Sequence, residues 1–358
     1  MYIRKKEKKL AKKFCVFCGN TPEKKNMEHV IPQWLSRYTG RYKMYCHQPG
    51  VTDKKIPFSE LKFPACTACN DYYSDLEGRA KNALIKIMES KPLNAKEIND
   101  VLDWFDKVRV GLWLSELTLA HKVDEVAPKF HISQRMGAKD RMLIVERIST
   151  DGKGIAYAGT GYEGFYDAPN AFQLIINDYV FTNASEHRLV APRLGFPCMD
   201  KLKYSSEDFV LNDVSAGTCK TKHPVVKGFD ASPSRTIIYQ PMFKGLYDIQ
   251  SDNNPYHCDY VAQYSLDAPA GVGGIFYQRG DNTIKYLEPG QNVTISPRAP
   301  SKESHLYALT PKVYELQRHI VNNSYDIKTA DAQHKKIMEM RQKLIQRYID
   351  FSKAIKSK

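Results

Sequence analysis

Residues 15–32 read CVFCGNTPEKKNMEHVIP, and residues 66–77 read CTACNDYYSDLE. Each stretch opens with a Cys-x-x-Cys turn, Cys15–Cys18 and Cys66–Cys69. Such a turn aims two thiolates at one point about 2.3 Å from each sulfur, and two turns complete a tetrahedral zinc site. Four thiolates leave no open coordination position, so a zinc ion on Cys15, Cys18, Cys66 and Cys69 is expected to be structural. It would substitute for a core that so short a segment cannot build. Cys46-His47 lies between the turns and is a weaker rival pair of ligands. Cys198, Cys219 and Cys258 are scattered and read as small buried hydrophobes. No apolar stretch follows the basic N-terminus, which argues against a secretory signal peptide and for a cytoplasmic protein. Eight cysteines in such a chain point to metal rather than to a disulfide framework.

Between the turns stands Glu28-His29-Val30-Ile31-Pro32, and Asn70 directly follows the last cysteine. In that order and spacing the chain resembles the HNH endonucleases of the ββα-metal fold. These typically carry a Cys-x-x-Cys turn, then an acid followed by His with Pro three residues on, then a second turn running into Asn or His at a helix start. The layout is also similar to that of phage Holliday-junction resolvases of the endonuclease VII type. EHVIPQWL, residues 28–35, and NDYYSDLE, residues 70–77, resemble segments of bacterial HNH proteins. The resemblance covers about residues 14–80. It implies a DNA endonuclease that leaves a 5′-phosphate and a 3′-hydroxyl.

The residue types suit that chemistry. A histidine titrates near neutrality and can take a proton from water, which makes His29 the candidate general base. A hard divalent ion, Mg²⁺ or Mn²⁺, takes oxygen ligands, and Glu28 and Asn70 offer them. Adjacent strand residues point to opposite faces, so Glu28 and His29 can share one site only where a strand ends or twists. Pro32 favours an ending, with a short helix or turn from Gln33. Asn70 could also cap a helix. Asp71, Asp75 and Glu77 are candidates for a third ligand, although a solvated or salt-bridged helix acid is the plainer reading of each. The sequence departs from the family at 59–65, SELKFPA, where many members carry an Asn. Residues 36–60 read as an insertion over the substrate groove, with Arg37, Arg41, Lys43, Lys54 and Lys55 available to phosphate.

The formal net charge of +13 favours a polyanionic partner. Seven of the first thirteen residues are Lys or Arg, and eight basic residues stand in the last 25, so both ends could lie along DNA phosphates. No apolar run is long enough to span a membrane. A zinc-stapled module that binds nucleic acid without cutting it is the alternative function. A part in bacterial defence against phage is an expectation by analogy alone.

Beyond residue 80 the pattern is structural. Glu77 to Met88 is helical, Lys91-Pro92 interrupts, and Asn94 with Glu97 forms a capping box that opens a second helix. Val101, Leu102, Phe105, Val108, Leu112 and Leu119 recur at helical spacing. From about 140 to 310 the period turns to two, with strands expected at 142–148, 173–182, 236–243, 259–265, 273–278, 284–288 and 292–296. Gly280-Asp281-Asn282 reads as a hairpin turn. The end, about 325–356, is an amphipathic helix with Ile337, Leu344, Tyr348, Phe351 and Ile355 on one stripe. It packs on the body or, alternatively, serves a homodimer or protein partner. The expected class is α+β: a zinc-stapled ββα-metal module (1–90, with its basic arm), a helical connector and mixed or mainly antiparallel β domain (91–325), and a basic C-terminal amphipathic helix (326–358).

Overall fold

Strand β1, Asn26–His29, ends where the sequence places the break: the chain bends at Val30 and Ile31 and reaches Pro32, which has no N–H to extend a ladder. Pro32 then serves as the N-cap of helix α1, Gln33–Tyr38. Strands β2, Tyr45–Gln48, and β3, Thr52–Pro57, pair antiparallel as a hairpin within the expected insertion. Strand β4, Lys62–Ala65, returns antiparallel to β1, with Glu28 opposite Phe63 and His29 opposite Lys62. Helix α2, Thr67–Met88, follows at once, so two paired strands run into one helix with a hairpin inserted between the strands. This computed structural model describes residues 14–22, 26–40, 45–48, 52–119, 131–149, 152–160, 165, 169–204, 209–216, 226, 228–244, 259–280, 283–301, 306–324 and 332–356. The basic arm, Arg41, Lys43, Cys219, Cys258, Asp281 and Asn282 lie outside them.

Helix α3, Ala95–Leu119, opens on the expected capping box. The Glu97 N–H donates to Asn94 Oδ1 at 2.9 Å, and the Asn94 N–H donates to Glu97 Oε2 at 3.0 Å. Its apolar positions Val101, Leu102, Phe105, Val108 and Leu112 are all buried, but so are Asp106, Lys107 and Arg109. A helix buried all round must lie between two bodies, and its charges must be paired. One body is the unit of β1, β4 and α2; the other is a sheet.

That sheet begins with β5, Asp140–Arg147, β6, Ile155–Ala158, β7, Ala171–Ile176, and β8, Tyr179–Glu186. The chain then forms the short helix α4, Ala191–Leu194, and a separate hairpin of β9, Pro197–Tyr204, and β10, Phe209–Ala216. It returns with β11, Arg235–Gln240, helix α5, Asp259–Tyr264, the small pair β12, Ser265–Asp267, and β13, Val272–Gly273, and then β14, Phe276–Arg279, and β15, Ile284–Tyr286. Seven strands form one wholly antiparallel sheet in the order β15-β14-β11-β5-β8-β7-β6. Cross-strand partners share a face. Phe172, Phe181 and Asn183 therefore face α3, where the Phe105 ring lies 5.6 Å from Phe181 and 6.1 Å from Phe172. Val180 and its partner Glu146 face the other way, toward Lys312 of helix α6, Leu306–Ser324, at 3.5 Å. Helix α7, Ala332–Lys356, packs on α6.

The α+β class and the large antiparallel sheet agree with the sequence reading, and several elements differ from it. The single strand expected at 173–182 is the β7–β8 hairpin, turned at Asn177-Asp178 with Asn177 at φ 56°. Asn tolerates that left-handed conformation better than most residues. Residues 259–264 are helical: Tyr260 and Tyr264, one turn apart, bring their rings within 4.7 Å and pack on Phe196 and Phe276. Residues 292–296 form no strand, only a bridge from Val293 to Leu93. On α7 the buried stripe is Met338, Ile345, Ile349 and Ser352, while Ile337 and Phe351 are exposed. The packing face is rotated about one residue from the expected one, and Leu344 and Tyr348 sit at its border. Among the described residues no helix is long and apolar enough to cross a membrane.

Candidate metal centre and charged site

The chain around Cys15 is held by its backbone. The Cys15 N–H donates to Asn20 O at 2.7 Å, the Gly19 N–H to Cys15 O at 2.9 Å, and the Val16 N–H to Pro64 O on β4 at 2.8 Å. Closing so tight a turn puts Gly19 at φ +78°, a conformation that suits a residue without Cβ. Cys66 caps α2 and Cys69 lies in its first turn. The sulfurs of Cys15, Cys18, Cys66 and Cys69 all lie within 4.8 Å of one another, and Cys18 Sγ is 3.9 Å from Cys66 Sγ. A tetrahedron with arms of about 2.3 Å has edges of about 3.8 Å, so these four residues could hold zinc or a similar ion. Burial pushes the Cys18 and Cys69 thiols up, since a bare thiolate is poorly solvated there. Burial works the same way on Cys15, but backbone N–H groups of Cys66, Cys18 and Phe17 outweigh it and bring that thiol down. A cation would favour the thiolate at all four.

Residues well beyond the motif complete this unit. The Ile132 N–H donates to Val16 O at 2.7 Å and the Ser133 N–H to Phe17 O at 3.1 Å. Tyr73 stacks on Phe17 with ring centroids 3.9 Å apart, and its hydroxyl donates to Ser133 Oγ at 2.9 Å. From α3, Gly111 lies so close to Val30 that an added Cβ would stand 3.0 Å from Val30 Cγ1.

Glu28 is buried on β1, while His29, at the strand's end, and Asn70, in the first turns of α2, are half-buried. Asn70 is not the helix cap; Cys66 is, and the Asn70 N–H donates to Cys66 O at 2.9 Å. Among the described residues no hydrogen bond or ion pair joins Glu28, His29 and Asn70 to one another. Glu28 is instead ion-paired with Lys107 Nζ of α3. The same ammonium lies 3.2 Å from Glu77 Oε2. Glu77 is thus salt-bridged, as the plainer reading had it, but to a lysine only 2 % exposed that also holds Glu28. The Phe17 ring lies 6.0 Å from the same Nζ. Burial raises the pKa of Glu77, Lys107 opposes the rise, and the Glu28 charge adds to it.

The sequence reading passed over Lys107. The available signal was DWFDKVRV, residues 103–110, in which charged residues fall on every side of an otherwise apolar helix. Such a helix cannot be buried unless its charges are paired. Asp75 stays at the surface and pairs with Arg79, and Arg37 is exposed. No protein-family model, curated protein or solved structure matches this chain.

Proposed function

We propose that this protein is a metal-dependent endonuclease of the HNH type that hydrolyses DNA phosphodiester bonds. One observation carries the reading. The strand that ends in Glu28-His29 is paired with the strand that leads, through two of four converging cysteines, into the helix bearing Asn70. A catalytic histidine set at a strand end, beside a helix start braced by zinc, suits attack on a phosphate.

In this reading Cys15, Cys18, Cys66 and Cys69 hold structural zinc. Glu28 and Asn70 offer the hard oxygen donors that Mg²⁺ or Mn²⁺ takes. When bound, that ion supplies charge neutralisation at the scissile phosphate and the departing oxygen. His29 Nδ1 or Nε2 accepts a proton from the attacking water. Asn70 orients the phosphate from the helix side. Arg37, the basic arm and the basic face of α7 contact the flanking backbone of the DNA.

A second reading is a zinc-stapled module that binds nucleic acid without cutting it. The ion pair between Glu28 and Lys107 favours it, since a pure binding module needs no free carboxylate. Supercoiled plasmid incubated with the protein and Mg²⁺ or Mn²⁺ decides between them. We expect nicked or linear product, reduced on the order of 10²-fold or more by His29→Ala. Undiminished cleavage by His29→Ala would remove the assigned base, and no cleavage of DNA or RNA with either ion would favour the binding module.

A further inference from the structure

Two carboxylates from different elements, Glu28 of β1 and Glu77 of α2, meet one ammonium from a third, Lys107 of α3. Lys107 offers three donors and no acceptor, and its side chain is 2 % exposed, so it is committed to this pair. The ion pairs contain two negative charges and one positive, leaving a net −1 in a largely dry place. Lys81 on α2 bears on Glu77 as well, from farther away, and its own ammonium lies 6.0 Å from the Trp34 ring. A cation position has therefore been built on Glu28 and Glu77 and is filled by the chain's own lysine.

We infer that Lys107 is an internal competitor of the divalent ion: its ammonium occupies the carboxylates that the ion would use, so the ion binds only as Lys107 lets go. The inference rests on the endonuclease reading only in taking Glu28 as a ligand. The physical ground is charge. A divalent ion on Glu28 would meet like-charge repulsion from an ammonium a few ångströms away, in surroundings that screen it poorly. The ion and the ammonium cannot both keep their closest position. The opposite role, in which Lys107 merely orients Glu28 for the ion, predicts the opposite sign in the test below.

The test is Mn²⁺ binding to the full-length, zinc-loaded protein, followed by the electron paramagnetic resonance of free Mn²⁺. Lys107→Gln keeps a hydrogen-bonding side chain and removes the charge. It should bind Mn²⁺ at least ~10-fold more tightly than the unmutated chain, a low figure for removing a unit positive charge beside a divalent ion. The same variant should gain more in melting temperature from added Mn²⁺ than the parent does. Adding Glu28→Gln and Glu77→Gln should abolish both gains. Equal or weaker binding by Lys107→Gln overturns the inference. If that variant does not fold, the unmutated protein still answers. With ¹⁵N-labelled lysine, the Lys107 Nζ signal, assigned with Lys107→Arg, should shift on Mg²⁺ addition, and an unmoved signal overturns the inference. Tighter Mn²⁺ binding without cleavage by either form would leave the competition standing and remove the nuclease reading. Cleavage without tighter binding would do the reverse.

Discussion

Helix α3 carries two charged clusters, one reaching the sheet and one reaching β1 and α2, and they are built differently. Toward the sheet, Arg141 of β5 pairs with Asp103 and lies 3.4 Å from Asp106, while Arg109 lies 2.7 Å from Asp106. Neutral groups fill several of the remaining valences: Gln240 and Asn99 accept from Arg141 at 3.0 Å each, Asn183 accepts from Arg109, and the Gly137 N–H donates to Asp106 at 3.1 Å, while Arg109 Nε and Asn183 Nδ2 find no hydrogen-bond partner among the described residues. Two cations meet two anions, so that cluster is neutral. Burial works against the Arg141 charge, but Asp103 and Asp106 outweigh it and keep the guanidinium firmly protonated. Toward the strands, one buried cation meets two anions, with the Phe17 ring beside it and Lys81 acting on Glu77 from farther off. A balanced, amide-lined network locks a helix to a sheet. An unbalanced one retains a demand for positive charge, as a site for a cation or a phosphate-bound ion does. Both clusters are buried, so burial does not tell them apart, whereas the charge sum does.

The sharpest way to break this comparison is to remove the proposed zinc. The strand side rests on two paired strands and a core around Phe17 and Tyr73 beside Cys15–Cys18, whereas the sheet side is held by seven paired strands. Structural zinc contributes on the order of 10 kcal/mol to small modules of this kind. Cys66→Ser, or a strong chelator, is expected to abolish slow amide exchange over residues 15–35 and 62–75 while β5, β8 and β11 stay protected. Hydrogen exchange read by mass spectrometry checks it. Loss of protection in both regions at once would mean that α3 fuses them into one cooperative unit.

The next effect is a contrast between two acids. Asp106→Ala leaves Arg109 and Arg141 short of a carboxylate in a fully buried place and should cost about 3–5 kcal/mol. Glu77→Gln removes one of two acids from a single lysine, leaves a matched pair with Glu28, and should cost less than about 1 kcal/mol. Equilibrium unfolding in urea measures both. Equal costs would show that the two clusters are the same kind of object.

Much of the strand side was legible because its signals are local. Two Cys-x-x-Cys turns fix where sulfurs converge, Pro32 ends β1, and Asn94 with Glu97 opens α3 through bonds made within four residues. Lys107 was not legible in the same way. Its meaning depends on Glu28 and Glu77, which lie 79 and 30 residues away and reach it only through tertiary packing. The β7–β8 turn was missed because Asn177-Asp178 lacks the glycine that usually marks a two-residue hairpin. Helix α5 was missed because DYVAQY fits a strand about as well as a single helical turn, and the neighbours Phe196 and Phe276 decide. On α7 the apolar residues form two adjoining stripes, and periodicity does not say which of them α6 covers.

The smallest predicted effect concerns how closely α3 approaches the strand end. Glycine inside a helix costs about 1 kcal/mol relative to alanine, so Gly111→Ala should stabilise α3 if nothing stood against it. Val30 stands against it: both its methyls would lie within 3.3 Å of the new Cβ, and Val30 is itself buried with little room to turn. We expect Gly111→Ala to lose on the order of 1 kcal/mol despite the better propensity. Val30→Ala in the same chain should recover most of that loss, and the coupling in the double-mutant cycle reports the contact directly. Val30 follows His29, so the displacement should also lower plasmid nicking, and the double mutant should restore it. A Gly111→Ala protein that is more stable than the parent would mean that α3 and β1 can separate at little cost. The strand side would then be the looser of the two faces in packing as well as in charge.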